Sequence, residues 1–300
     1  MIQFCYFFRA ICFITFAAVK KLDHITEPIR AELSEFEVYI ERTMKADTAP
    51  MDTIMQYVGE TKGKRLRPML VMLSARLFGE INERTLRAAT FVEMIHNATL
   101  IHDDVVDDSD QRRGKASVKA RWNNATAVLV GDYLLAKAML LLAHPSDFDL
   151  MTEMLRTTAA MSEGELMQNH TVGLSHHGNR HDENQKTKLP LDDNLTTNYL
   201  DIITRKTAML MRACCVGGAL SVNATEEQVQ RIADFGLHFG MLFQMRDDIL
   251  DADDKEITAI ATKLLPAYLQ KTLDALKPFP HSETLEALQE LTVFCAEREK

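Results

Sequence analysis

Apolar residues recur at helical spacing through almost the whole chain, and this pattern limits the possible folds more than any other feature. In residues 26–46 they stand three or four positions apart, at Ile29, Leu33, Phe36, Ile40 and Met44. The same spacing, typical of amphipathic helices, returns at 66–78, 84–102, 125–143, 147–168, 199–222, 226–250 and 283–297. Strand-like alternation is nearly absent, and no proline interrupts the chain between Pro68 and Pro145. We therefore predict an all-α protein, a multi-helix bundle.

Composition excludes several classes of protein. With 46% hydrophobic and 26% charged residues, the chain can bury a large core and is not a disordered protein. The net charge of −9 argues against a general nucleic-acid-binding protein, so local basic clusters must bind any anionic ligand. The cysteines are odd in number and form no C-x-x-C pair; they are Cys5, Cys12, Cys214, Cys215 and Cys295. We expect neither a disulfide framework nor a zinc site, and a cytoplasmic location.

The first 19 residues form an apolar leader. Arg9 interrupts it, and its longest uncharged stretch, Ala10–Val19, is too short to cross a bilayer. Lys20 and Lys21 follow the apolar stretch, whereas a signal peptide carries its positive charges before it. We expect a loosely ordered leader rather than a signal peptide or membrane anchor, followed by a single domain over residues 20–300.

A polar insertion is predicted at about residues 169–198. This segment is rich in polar residues and contains Gly173, Gly178 and Pro190, which favour a long loop. Its three histidines, His176, His177 and His181, have no acidic or thiolate partner at ligand spacing. We interpret them as part of a solvated loop rather than as a metal site.

Two acidic clusters follow strongly apolar helical segments. Asp103 and Asp107 stand four residues apart, on one face of a helix, with Asp104 beside them. A second cluster repeats this arrangement with Asp247, Asp248 and Asp251. Carboxylates at this spacing repel one another, and oxygen ligands without His or Cys are those that Mg²⁺ prefers. The two clusters together predict a site that holds a diphosphate through Mg²⁺.

Basic residues lie near these clusters in the sequence. One group is Gly63–Pro68 (GKRLRP), a second is Gln111–Lys115 (QRRGK), and Lys206 falls within an apolar helical segment. Guanidinium and ammonium groups bind diphosphate oxygens through charge-assisted hydrogen bonds. We therefore expect a second, metal-free anion site, and we expect Lys206 to have a partner.

These motifs resemble the trans-type polyprenyl diphosphate synthases of the polyprenyl synthetase family, including its long-chain, octaprenyl-like members. The segments GKRLRP, HDDVVDDSDQRRGK, GDYLLAKA, EGELMQ, RKTAML and FQMRDDILD occur in the family's order. The resemblance runs from about Lys20 to Asp251 and resumes near residue 258. It implies an isoprenoid-synthase-type helical bundle around a central cavity, normally homodimeric. The implied activity is condensation of an allylic diphosphate with isopentenyl diphosphate, with no nucleic-acid partner and at most peripheral membrane contact through the apolar product.

The resemblance also implies roles for individual residues. The residues implied to bind isopentenyl diphosphate are Lys64, Arg67, His96 and Arg113. The residues implied to contact the allylic diphosphate are Arg112, Lys206, Thr207 and Gln244. The implied Mg²⁺ ligands are Asp103 and Asp107, assisted by Asp104, and, from the opposite side, Asp247, Asp248 and Asp251. The catalytic set that follows is Asp103, Asp104, Asp107, Lys206, Asp247 and Asp248.

The growing hydrocarbon is expected to run beside the helix that carries the first acidic cluster. Ala98 and Thr99 lie in the turn directly below that cluster. A large ring there would close the path, as in short-chain members of the family. Small side chains at these positions predict an open path and a long product.

The chain departs from the family pattern after Asp251. The expected glycine-lysine loop and the helices after it are missing, and Lys255 and Lys263 replace the lost lysine poorly by spacing. A non-catalytic or degenerate partner subunit of an active synthase therefore stays as an alternative, although both acidic clusters are intact. A terpene cyclase fits less well, because it needs no GKRLRP segment to bind a second diphosphate.

Overall fold

The computed structural model describes residues 23–60, 63–176 and 195–299. Within these ranges the chain is almost entirely helical, so the all-α prediction is confirmed. After a short 3-10 turn at Glu27–Ile29, the helices are α1 (Arg30–Met44), α2 (Ala49–Glu60), α3 (Leu66–Phe78), α4 (Glu83–Val106), α5 (Val118–Arg121), α6 (Asn124–Leu141), α7 (Phe148–His176), α8 (Leu195–Ile203), α9 (Met209–Ser221), α10 (Glu226–Asp251), α11 (Lys255–Leu276) and α12 (Glu283–Glu297). A second 3-10 turn, Pro145–Asp147, precedes α7.

A two-residue hairpin interrupts the helices after α4. Its strands, β1 (Gln111–Arg112) and β2 (Lys115–Ala116), pair antiparallel. Arg113 and Gly114 form the turn with positive φ angles of 51° and 76°, the combination that tight hairpin turns require. The hairpin therefore places Arg112 and Arg113 next to each other, one at the end of β1 and one in the turn.

Helix α9 forms the centre of the bundle. It packs against α3, α4, α7 and α10, and most of its residues are buried, Cys214 and Cys215 among them. A smaller apolar cluster joins α8, α10 and α11 and includes Tyr199 and Met245. Helix α10 starts at a capping box, in which Thr225 and Gln228 exchange hydrogen bonds. These contacts fix the ends of α4 and α10, where the acidic clusters lie.

Helix α6 leaves apolar side chains uncovered. It is long and apolar enough to cross a membrane by length and composition, but only 28% of it is buried. One side packs against α4. The other side exposes Leu129 and Leu140 to 64% and 74%. Eleven residues separate these leucines, which places them on one helix face.

The prediction of a loop over residues 169–198 is wrong at both ends. Helix α7 continues to His176, and α8 begins at Leu195. Once a helix is established, each further residue adds a hydrogen bond at little cost, so a polar composition alone does not end it. The remainder of the insertion, with His177 and His181, lies outside the described residues, as do residues 1–19.

Two further differences concern elements that the apolar spacing did not predict. Helix α2 occupies residues for which we predicted no helix. The segment 199–222 was expected to be one helix, but a π-helical turn, Thr204–Ala208, separates α8 from α9. A π turn contains one more residue than an α-helical turn, and this single insertion barely changes the spacing of apolar residues. The π turn therefore has no clear sequence signature.

Candidate active site

The first acidic cluster lies at the C-terminal end of α4. Asp103 and Asp104 are in its last turn, and the Asp107 N–H closes that turn on the Asp103 carbonyl oxygen at 2.8 Å. The pKa of Asp103 is raised to about 6, mainly by burial and in addition by the neighbouring Glu165 carboxylate, while the charge of Lys206 opposes both effects. Asp103 therefore lies in a partly buried, electronegative position that a cation would stabilise.

The second cluster ends α10 in the same way. Asp247, Asp248 and Asp251 occupy the last turns of this helix. Burial raises the pKa of Asp247, and the carboxylates of Asp251 and Asp248 add to this effect. Burial also raises the pKa of Asp248. Both clusters therefore concentrate negative charge at a helix C-terminus, where the helix dipole is also negative.

The middle aspartate of each cluster is held by protein donors. Asp104 is 2% exposed, and its Oδ1 accepts hydrogen bonds from Arg112 Nε at 2.9 Å and Nη2 at 2.5 Å. Asp248 accepts hydrogen bonds from Gln244 Nε2 at 2.9 Å and from the Tyr199 hydroxyl at 2.6 Å. The bonds use one oxygen of Asp104 and both oxygens of Asp248, and the assignment of these two residues as metal ligands stays a prediction. Sequence reasoning missed Tyr199, for which the sequence carries no signal.

The positive charge of Lys206 acts on both acidic clusters. Its charge lowers the pKa of both Asp103 on α4 and Asp248 on α10. Its ammonium pairs with Glu165 Oε2 of α7 at 2.5 Å, so the predicted partner exists. The adjacent Thr207 hydroxyl donates to Gln244 Oε1 at 2.7 Å. The structure thus brings together three of the residues that the resemblance assigned to the allylic diphosphate.

The four residues assigned to isopentenyl diphosphate line one cavity of about 530 Å³. They are Lys64, Arg67, His96 and Arg113. Apolar side chains such as Phe243 and Leu291 also line the cavity, together with the charged residues Arg65, Glu93 and Arg298. The charge of Asp247 acts on the pKa of Arg67, so the cavity adjoins the second acidic cluster.

Two of these residues show the properties of an anion site. Arg67 Nε is buried without a hydrogen-bond partner among the described residues, and burial lowers the pKa of its guanidinium. Burial and the charge of Arg67 hold the pKa of His96 well below its usual range, so the imidazole is neutral at pH 7. A neutral histidine can donate one hydrogen bond, and a buried arginine without a partner is stabilised by an anion.

Arg298, close to the C-terminal end of the chain, lines the same cavity and was missed by sequence reasoning. Its guanidinium pairs with Asp247 and lies 4.2 Å from the centre of the Phe243 ring. Arg246 holds the Arg298 carbonyl oxygen through two hydrogen bonds, at 2.9 and 2.6 Å. Asp247 and Arg298 are 51 positions apart, so no sequence motif indicates the ion pair between them.

The donor set fits a hard divalent cation. Among the described residues, no three His, Cys, Asp or Glu side chains are grouped to hold a metal ion by themselves. Mg²⁺ commonly takes one or two carboxylates and completes its shell with water and phosphate oxygens. Burial raises the pKa of both Asp103 and Asp247, so a bound cation would stabilise their charged forms. The residues therefore fit a metal that binds together with a diphosphate.

Comparisons with known proteins agree with this arrangement. Residues 48–259 match the family model of the polyprenyl synthetases. The chain is 37% identical over 221 residues to heptaprenyl diphosphate synthase component 2 of Geobacillus stearothermophilus, covering 73% of this chain and 63% of that one. It is 32% identical over 230 residues to octaprenyl diphosphate synthase of Haemophilus influenzae, covering 77% and 65%. The chain thus spans slightly less than two thirds of the length of these relatives.

A solved structure is also similar over most of its length. The polyprenyl synthase from Caulobacter crescentus, crystallised with calcium and isoprenyl diphosphate, superposes with a TM-score of 0.79 at 28% identity. The match covers 93% of this chain and 98% of that one. The family model covers more than half of the residues, and its motifs form the site described above. The chain belongs to the polyprenyl synthetase family.

Proposed function

We propose that this protein condenses an allylic prenyl diphosphate with isopentenyl diphosphate and releases trans-polyprenyl diphosphates. The observation that carries the proposal is the presence of two different anion sites side by side. One is bounded by the carboxylates of α4 and α10, and the other is the basic cavity with Lys64, Arg67 and His96. An enzyme that joins two diphosphates needs both sites, whereas a cyclase needs only the first.

One group of residues promotes ionisation of the allylic diphosphate, and another positions isopentenyl diphosphate. Asp103, Asp107, Asp247 and Asp251 would hold Mg²⁺, which when bound supplies positive charge to the departing allylic diphosphate. The Lys206 ammonium stabilises the negative charge that develops on the same diphosphate. The cavity residues hold isopentenyl diphosphate so that its double bond meets the allylic carbon. The apolar walls keep water from the cation, and the departing diphosphate accepts the proton that is lost.

A homodimer is part of the proposal. The face of α6 with Leu129 and Leu140 is apolar and uncovered in the single chain. Such a face on a long helix is suited to a symmetric contact with a second copy of the same face. The free, buried cysteines Cys214, Cys215 and Cys295 support the expected cytoplasmic location.

Incubation of the full chain with farnesyl diphosphate, radiolabelled isopentenyl diphosphate and Mg²⁺ tests the proposed activity. We expect labelled prenyl diphosphates longer than farnesyl, and their loss when EDTA replaces Mg²⁺. Asp103→Ala and Asp247→Ala serve as inactive controls. Their melting temperatures are measured alongside, because Asp247→Ala also removes the ion pair with Arg298. A hydrocarbon product would indicate a cyclase. No product at all would favour the non-catalytic partner subunit.

A further inference from the structure

The π-helical turn Thr204–Ala208 carries Lys206 and is tightly enclosed by two helices. A Cβ atom at Gly164 of α7 would lie 2.7 Å from the Lys206 backbone nitrogen. A Cβ atom at Gly240 of α10 would lie 2.5 Å from Ala208 Cα. Such distances are too short for any side chain, so both helices approach the turn only because these positions are glycine. Isolated π turns occur frequently at functional sites, and this one is fixed from two sides.

Glutamates on either side of Gly164 pair with consecutive cations of this turn. Glu163 Oε2 lies 2.7 Å from Arg205 Nη1, and Glu165 Oε2 lies 2.5 Å from Lys206 Nζ. The two pairs differ in their surroundings, because the Glu163 side chain is 64% exposed and that of Glu165 is 19% exposed. The first pair therefore lies in solvent, and the second lies in the cleft beside Asp103.

Hydrogen bonds hold the other side of the turn. Thr207 donates to Gln244, Gln244 donates to Asp248, and Tyr199 donates to the second oxygen of Asp248. These bonds join the turn and α8 to α10. The Lys206 ammonium takes no part in these bonds and has Glu165 as its ion-pair partner.

We propose that Glu165 is a positioning residue that holds the Lys206 ammonium between the two acidic clusters before substrate binds. The inference rests on the proposed function, in which Lys206 binds the allylic diphosphate. A lysine carries a flexible four-carbon stem, and fixing it in advance lowers the entropy cost of binding.

Glu165→Gln tests the proposal, and Glu163→Gln is the matched control, because it breaks the neighbouring ion pair between the same two segments. The measurement is calorimetric binding of farnesyl thiodiphosphate, a non-ionising allylic analogue, with Mg²⁺. We expect Glu165→Gln to weaken binding about tenfold and Glu163→Gln to leave it within about twofold. Glu165→Asp should restore part of the affinity, and the affinity for isopentenyl diphosphate should not change.

A double-variant cycle separates positioning from a general structural role. If Glu165 acts through Lys206, Glu165→Gln adds little to the loss caused by Lys206→Gln. Additive losses, or equal losses from Glu163→Gln and Glu165→Gln, would overturn the proposal. Melting temperatures of all variants identify any that fail to fold.

A second readout needs neither turnover nor substrate. The rate of reductive methylation of Lys206, followed by mass spectrometry, reports whether its ammonium is held by Glu165. We expect Glu165→Gln to raise this rate several-fold and Glu163→Gln to leave it unchanged; an unchanged rate in Glu165→Gln would contradict the proposal. An enzyme that shows the rate change but makes no product would refute the proposed function and leave the positioning role standing.

Discussion

Residues of the same type in one motif have different roles because their partners differ. In the GKRLRP segment, Arg65 is bound to Glu37 and Glu93, each at 2.7 Å, and is thereby used in joining helices. Lys64 and Arg67 line the basic cavity together with Arg65, but Arg67 Nε is buried without a hydrogen-bond partner among the described residues. A hydrogen bond to a charged group stabilises a fold, whereas a buried donor without a partner is stabilised by its ligand. The structure thus separates a structural arginine from two binding residues within four positions.

Lys64→Ala should therefore affect one substrate and not the other. We expect the KM for isopentenyl diphosphate to rise about tenfold or more, since a charge-assisted hydrogen bond is worth about 1.5–3 kcal/mol. The KM for farnesyl diphosphate should change little. Steady-state kinetics with each substrate varied in turn measures this difference, with Lys277→Ala, an exposed lysine near the end of α11, as the control. Equal effects on the two substrates would contradict the assignment of Lys64.

Asp103→Asn should stabilise the metal-free protein in a pH-dependent manner. The pKa of Asp103 is about 6 in the folded protein, against an ordinary value of 3.8. Because the folded state binds the proton more tightly than the unfolded state, wild-type stability falls as the pH rises from about 4 to 6 and stays lower above that range. The variant lacks this loss. It should exceed the wild type by about 1–3 kcal/mol at pH 7.5 and by almost nothing at pH 3.5.

Urea unfolding in EDTA at the two pH values measures this difference. Asp234→Asn on α10, outside both acidic clusters, is the control. A gain in stability at pH 3.5 as large as that at pH 7.5 would show that the carboxylate charge is not responsible.

At the scale of elements, the acidic clusters owe their properties to where helices end. Both lie at the C-terminal ends of long helices, α4 and α10, where unpaired carbonyl groups already make the potential negative. Placing carboxylates there is unfavourable for an isolated helix. The arrangement is understandable if a cation and a diphosphate are the intended occupants, because each cluster then attracts the metal with the help of the helix dipole.

Local sequence patterns predicted elements much better than they predicted contacts between elements. Nearly every long helix was predicted from apolar spacing. The π turn was not, because it depends on close packing against Gly164 and Gly240. Tyr199, Glu165 and Arg298 were missed for the same reason, since their partners lie about 40–50 residues away in the chain.

A substitution on helix α4 tests the path of the growing hydrocarbon product. Ala98 is completely buried, and a diphosphate held at Asp103 would direct its apolar tail along this helix. We expect Ala98→Phe to shorten the product to about the farnesyl or geranylgeranyl stage, together with an overpacking cost of roughly 1–3 kcal/mol. Product chromatography and a melting curve measure the two effects.

Ala89→Phe is the matched control for this substitution. Ala89 is equally buried on the same helix, but it lies nine residues away, on the opposite face. It should show the stability loss without the change in product length. A folded Ala98→Phe protein with an unaltered product would show that the tail takes another path.

At the scale of the whole molecule, the C-terminal helices complete the cavity. The chain departs from the family pattern after Asp251, yet α11 and α12 return to the bundle and bring Arg298 to Asp247. Lys255 and Lys263, the cations nearest in sequence to the missing loop, are exposed. The positive charges that act on the second acidic cluster therefore include Arg298, Lys206 and Arg67, and none of these lies in the segment that directly follows the cluster.

Dimer formation is the last prediction, and it concerns the exposed face of α6. Leu129 and Leu140 lie on one side of that helix at 64% and 74% exposure, an arrangement that costs free energy unless a second copy covers it. Substituting both, Leu129→Glu with Leu140→Lys, should convert a dimer to a monomer in size-exclusion chromatography with light scattering. Val38→Glu on α1, a valine of similar exposure (69%), should leave the dimer intact.

A monomeric wild type, or a double variant that stays dimeric, would rule out this interface. Because α6 packs its other side against α4, the face also bears on the active site. His102 directly precedes Asp103 on α4, and its Nε2 lies 3.4 Å from Oδ1 of Asp132 on α6. Loss of the dimer should therefore lower turnover as well as molecular mass. Helix α6 supports α4 and its acidic cluster, and in the monomer the exposed face of α6 would no longer be covered by the second copy.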